Sequence, residues 1–166
     1  MNLRELDAFV VVGIEIRTTN AAERTGDGRI PRQWERFVKE NLALAIPHRV
    51  DDKILAVYTD YEGGEHGEYS FVLGARVSFE AAFPDGPEIP AGMTLRRIPA
   101  AKYGVITSRR GPVRQVVPEA WQQVWNSPEI HRGFQADFEI YDERAANPED
   151  AVVELWVGIS APAGPV

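Results

Sequence analysis

Residues 113–125, VRQVVPEAWQQVW, carry Val113, Val116, Val117, Ala120, Trp121, Val124 and Trp125 at helical spacing. Inside this stretch Val117-Pro118-x-x-Trp121 repeats an earlier Ile30-Pro31-x-x-Trp34. The earlier copy opens a second apolar stripe that continues through Phe37, Val38 and Leu42. A further match pairs Phe71-Val-Leu-Gly74-Ala with Leu155-Trp-Val-Gly158-Ile. The two offsets, 87 and 84 positions, are nearly equal. An internal duplication explains both coincidences economically.

Working outward, each helical stretch sits in the same order of neighbours. Phe9 to Thr18 is β-branched and apolar, a strand; Lys53 to Tyr61 and Glu68 to Phe79 form a hairpin about the glycine turn Glu62 to Gly67. In the second copy the strands are Tyr103 to Ser108, Phe134 to Tyr141 and Ala151 to Ile159. Ala21 to Gly28 reads as a loop or a weak first turn, and Pro84 to Gly92 as a linker. The expected fold is therefore α+β. Two tandem βαββ modules related by a pseudo-two-fold place both helices on one face of an antiparallel sheet. The chain reads as a single domain, 1–166, with halves at about 6–82 and 93–160 and a disordered tail at 161–166.

Composition narrows the function classes. With 166 residues, 44% apolar and 26% charged, the chain can build a core without staples. It has no cysteine, which excludes disulfides, zinc–cysteine sites and thiol catalysis. The net charge of −7 opposes a nucleic-acid surface and favours a cationic partner. Apolar runs are far shorter than the ~20 residues of a membrane span. The first residues, MNLRELDAF, lack an apolar signal core, so a cytoplasmic location is expected.

Strand alternation then sorts side chains by face. Val153, Leu155, Val157 and Ile159 share one face of the last strand, as Tyr69, Phe71, Leu73 and Ala75 do in its counterpart. That face is the bed expected for the helices. Assigning Leu55, Val57, Phe138 and Ile140 to the same aliphatic face leaves Tyr58, Glu139 and Tyr141 with Glu154 and Trp156 on the opposite one. Tyrosines and a tryptophan around carboxylates attract an organic cation through the ring quadrupole and the opposite charge. A glutamate inside VVELWV also costs desolvation unless something compensates it. Glu154 is thus the expected centre of a ligand pocket, lined by Trp156, Tyr58, Tyr141 and Glu139, with Glu15 a further carboxylate to test.

Other constellations carry less. His48, His66 and His131 are far apart in sequence, so no metal or other cofactor is expected. Asp60 to Glu68 lacks the calcium-loop alternation and reads as a solvated turn. Ser108 and Ser160 have no G-x-S-x-G context. Trp34 and Trp121 sit on apolar stripes and read first as core.

The order of elements and several local marks resemble the gyrase-inhibitor-like family, the effector-binding domain also fused to AraC-type and MerR-type regulators. The marks are Val12-Gly13-Ile14, Ile30-Pro31-x-x-Trp34-x-x-Phe37, Tyr58-x-x-Tyr61-Glu62, Pro99-Ala100-x-x-Tyr103, Phe138-Glu139-x-Tyr141 and Val153-Glu154-Leu155. The resemblance implies a pocket between the halves in which a buried glutamate, at the position of Glu154, receives cationic and often aromatic compounds. With no DNA-binding domain attached, the chain is similar to stand-alone members, including cationic-drug binders carried on mobile gene cassettes. The leading expectation is a non-catalytic binder of hydrophobic organic cations, with no direct nucleic-acid or membrane contact. Two others stay open: a hydrolase of lipophilic electrophiles using Glu154 or Glu139 as base, and a regulator that sequesters a protein partner.

Overall fold

In a computed structural model the described residues are 1–78 and 89–160. The chain begins with strand β1 (Asn2–Leu6) and β2 (Phe9–Thr19), then the helices α1 (Asn20–Arg24), α2 (Ile30–Lys39) and α3 (Leu42–Ala45), of which α2 is the longest. The hairpin β3 (Ile54–Thr59) and β4 (Glu68–Val77) follows. The second half runs β5 (Thr94–Ile98), β6 (Ala101–Thr107), α4 (Val113–Trp125), β7 (Arg132–Tyr141) and β8 (Glu154–Ile159). Both βαββ modules are present. The expected 84–92 linker falls largely outside the described residues, and the 161–166 tail entirely so. Among the described residues no helix is long and apolar enough to cross a membrane.

All eight strands form one antiparallel sheet in the order β1-β6-β8-β7-β3-β4-β2-β5. Read from its centre outward, the order is the same in both directions. β3 meets β7 at the middle, with Val57 directly opposite Phe138. Phe71 lies opposite Tyr58 and Leu155 opposite Glu139, so Tyr58 and Glu139 are equivalent positions one residue past the pseudo-axis. The edges are exchanged: β1, which leads the first half, pairs with β6, and β5, which leads the second, pairs with β2.

Both long helices lie on one face, as the duplicated stripe requires. Phe37 of α2 and Val116, Ala120, Trp121 and Val124 of α4 pack in one cluster with Phe71, Leu73, Leu155 and Val157. Pro31 stands in the first turn of α2, but Pro118 is inside α4, which starts a turn earlier than its repeat. No side chain of Arg29 caps α2. The carboxylate of Glu23 does so from a distance, accepting the N–H of Arg29 at 2.9 Å and of Ile30 at 3.1 Å. It also takes the Thr18 hydroxyl hydrogen at 2.6 Å. A carboxylate on two free N–H groups satisfies them and meets the positive end of the helix dipole. Glu23→Ala should therefore cost about 1–2 kcal/mol, the range of a lost cap. Urea unfolding checks this, and a loss below a few tenths would show that water replaces the cap.

The other face of the sheet is not solvated. Phe9 on β2 and Phe138 on β7 stack edge to face with centroids 5.4 Å apart. Three strand spacings separate those strands, roughly 14 Å in a flat sheet. The sheet therefore curls away from the helices and closes this face over Val11, Leu55, Val57, Val72 and Tyr103. That closure overturns the face assignment of the inner strands. Leu55, Val57 and Phe138 fill the concave side, and Tyr58, Glu139 and Tyr141 point under the helices. Alternation along each strand was read correctly. The expectation that only one face needs aliphatic residues was not met, because a curled sheet has two interiors.

Candidate functional site

The carboxylate of Glu139 sits between the middle of the sheet and the two long helices, 1% exposed. One oxygen accepts the Tyr58 hydroxyl at 2.7 Å and the Trp121 indole N–H at 2.8 Å. The other accepts the Tyr141 hydroxyl. Their placement follows from period-two alternation: Tyr58 and Glu139 flank the pseudo-axis, and Tyr141 is two residues further along β7. The helices supply the roof. Trp121 packs edge to face on Tyr58 at 5.3 Å and Trp34 on Tyr141 at 4.5 Å.

All three donors to Glu139 are neutral. Burial pushes its carboxyl above the usual carboxylate range, and the hydrogen bonds from Tyr141, Trp121 and Tyr58 offset this only in part. The Tyr58 and Tyr141 hydroxyls are driven well above their usual value by burial and by the neighbouring carboxylate, so they stay protonated donors. Among the described residues no ion pair neutralises Glu139.

The other carboxylates considered from sequence are already matched. Glu154 lies on the concave side, bonded to Arg144 at 2.6 Å and to the Trp156 indole at 2.9 Å. Partial burial pushes its carboxyl up, but the Arg144 and Trp156 hydrogen bonds outweigh this and leave it below the usual value. Trp156 stacks on Phe138 at 5.5 Å. Glu15 is held by Arg96 in a two-point bond at 2.6 and 2.9 Å. The expected five-residue pocket is thus divided by the sheet: Tyr58, Glu139 and Tyr141 share one face, and Glu154 and Trp156 the other.

Two clefts open above Glu139. The first, about 200 Å³, is walled by Tyr58, Tyr61, Tyr69, Trp121 and Trp125, and Glu23 and Arg132 also line it. The second, about 1070 Å³, lies beyond Trp34 and Tyr141 and has a charged rim that includes Glu35, Asp51 and Asp52. Each is separated from the carboxylate by the donors that wall it. Trp121 is in the core, as its stripe predicts, and also lines the cleft; Tyr61, Tyr69, Trp125 and Arg132 were not among the expected pocket residues. The spacing Tyr58-x-x-Tyr61 together with Phe138-Glu139-x-Tyr141 was the available signal for the first cleft.

Comparison with known proteins agrees with this architecture. The profile described as Cass2, integron-associated effector binding protein, matches residues 2–159. YobU of Bacillus subtilis (strain 168) is 35% identical over 160 residues, 95% of this chain and 96% of its own length. An integron cassette protein of Vibrio cholerae superposes with a TM-score of 0.70 at 25% identity, over 96% of this chain and 95% of its own. SAV2435, whose structure holds tetraphenylphosphonium, superposes with a TM-score of 0.73 at 18% identity, over 96% and 93%.

Proposed function

The chain belongs to the Cass2 family of integron-associated effector-binding proteins, and from that premise we propose that it binds hydrophobic aromatic cations in the aromatic cleft above Glu139. The observation that carries the reading is a fully buried carboxylate whose partners among the described residues are two phenols and an indole. An unpaired charge in such a place costs several kcal/mol, and a bound cation offsets that cost. Tyr58, Tyr61, Tyr69, Trp121 and Trp125 offer ring faces and edges to the ligand's apolar body. Ligand contact with the carboxylate requires Tyr58 or Trp121 to turn aside, since both donate to the oxygen that Tyr141 does not hold. Glu154 and Trp156 act in this reading through the concave core, because Arg144 already neutralises Glu154. The cationic ligand in SAV2435 supports the same ligand class by analogy of fold.

The test is calorimetric titration with phenyltrimethylammonium and its neutral isostere tert-butylbenzene. The cation should bind more tightly, and its affinity should rise with pH as Glu139 loses its proton, because only the ionised carboxylate attracts it. Equal affinity for the two compounds, independent of pH, would remove the charge from the recognition and the reading with it.

A further inference from the structure

The aromatic cleft already contains a cation. Arg132 lines it, with the guanidinium carbon 4.3 Å from the centroid of Phe134, 5.7 Å from Trp121 and 5.9 Å from Tyr61. Its side chain is 9% exposed, and one nitrogen bonds Asp137, which is fully buried, at 2.6 Å. Its Nε is buried with no acceptor among the described residues. The guanidinium is thus held by one carboxylate and by ring faces, with part of its donor capacity unused.

Arg132 lines two spaces at once. On one side is the 200 Å³ cleft; on the other is an open depression of about 570 Å³ that Phe134 and His131 also border, and Trp125 touches both. The side chain forms part of the wall between them. The backbone beneath it is irregular: β7 shifts register between Arg132 and Asp137, and Phe134 has φ of 54°. A bulky residue in the left-handed region stores strain of about 1–3 kcal/mol. A bulge of this kind bends the strand and re-aims its first residues relative to the segment that carries Glu139.

We infer that Arg132 sets the upper size of the ligand: its guanidinium occupies an aromatic cage that closes the cleft, and a cation too large for the cleft must displace it into the depression beyond. The inference rests on the proposed cation site and assigns its specificity. A cleft of 200 Å³ lies below the roughly 300–1,000 Å³ of ordinary ligand pockets. A compact cation fits without opening the wall. One carrying several rings needs the joined space, and its own rings and charge then take over the cage contacts that Arg132 gives up.

Removing Arg132 alone would leave the charge of the buried Asp137 without its cation, the Tyr61 hydroxyl and the Gly158 N–H remaining as donors, so the test removes both charges. Arg132→Met with Asp137→Asn keeps the side-chain volumes and leaves an oxygen for the Gly158 N–H, which Asp137 now accepts at 2.8 Å. Titrations compare tetraphenylphosphonium with phenyltrimethylammonium. The ratio of their affinities should shift toward the larger cation by about tenfold, corresponding to about 1.4 kcal/mol. Arg132→Lys retains the charge for Asp137 but not the planar stack, and should move the ratio the same way by less; it also serves if the double variant does not fold. An unchanged ratio in both variants, with both cations still binding, overturns the role of Arg132 and leaves the cation site standing. Failure of both cations to bind the unaltered protein overturns the site reading and this inference together.

Discussion

Replacing Glu139 with glutamine should weaken phenyltrimethylammonium by about 1.5–3 kcal/mol, the scale of a charge-assisted contact, and change tert-butylbenzene far less. Glutamine keeps an oxygen to accept from Trp121 or a phenol, and the rotatable hydroxyls of Tyr58 and Tyr141 can accept from its NH₂ group. What disappears is the charge. The unliganded protein should gain stability, and the pH dependence gives the gain a signature. Burial raises the folded-state pKa of Glu139 above the unfolded value of about 4.3. Such a carboxyl contributes fully below the unfolded value and loses stability as pH rises through the folded one. The advantage of Glu139→Gln over the unaltered protein should therefore grow with pH upward from about 4.3, then level off above the folded pKa. Thermal unfolding across that range measures it. A constant difference between the two proteins would show that the carboxyl titrates alike folded and unfolded. Equal losses for the cationic and neutral ligands would show that Glu139 shapes the cleft without recognising charge.

The second large effect is expected at Gly74. It lies opposite Gly13 across β2 and β4, and the two backbones approach so closely that side chains do not fit. A Cβ at Gly74 would stand 1.9 Å from the Val12 carbonyl oxygen and 2.6 Å from the Gly13 Cα. Both obstacles are backbone, so no rotamer change relieves them. Gly74→Ala must push the strands apart, at about 3 kcal/mol or more, near the top of the overpacking range. At about 2–4 °C per kcal/mol for a chain of this size, the melting temperature should fall by roughly 10 °C. Cation affinity should fall too, because β4 holds β3 and with it Tyr58. A loss below about 1 kcal/mol would mean that the strands separate freely there, and that the close approach is not needed to shape the sheet.

Much of this architecture was readable in the sequence, and what was not has identifiable causes. The two helices announced themselves because Trp34 and Trp121 sit on wide apolar stripes that only a sheet could cover. β1 and β5 gave no such sign. NLREL has four exposed residues of five, and TLRRI carries two arginines. Their strand character comes from backbone pairing to the opposite half, which leaves no pattern in side chains. α1, read as a loop or a weak turn, became a helix under the Thr19 hydroxyl, which accepts the Ala22 N–H at 3.0 Å.

The site divided along the same line. That Tyr58, Glu139 and Tyr141 share a face followed from alternation. Which face they share depended on the curl of the sheet, a property of all eight strands together. Glu154 drew attention because of its apolar neighbours, yet its charge is met by Arg144, ten residues earlier in the 142–150 loop and unmarked by any motif. Arg132 was equally silent, since a lone arginine at the head of a strand resembles any solvated base until its ring contacts are known.

The exchanged edge strands have a consequence in time. As the chain emerges from a ribosome, Asn2–Leu6 is made well before its partner Ala101–Thr107, which follows almost a hundred residues later. The edge of β2 likewise waits for Thr94–Ile98. A nascent first half thus carries one orphan strand and one open hydrogen-bonding edge, and can complete neither on its own. Such long-range closure slows folding and leaves sticky edges exposed in the interval. It also means that the ancestral repeat, if it once stood alone, had to satisfy those edges by pairing with a second copy of itself. The present chain is in that sense a fused dimer, and Glu139 stands one residue from the old dimer axis.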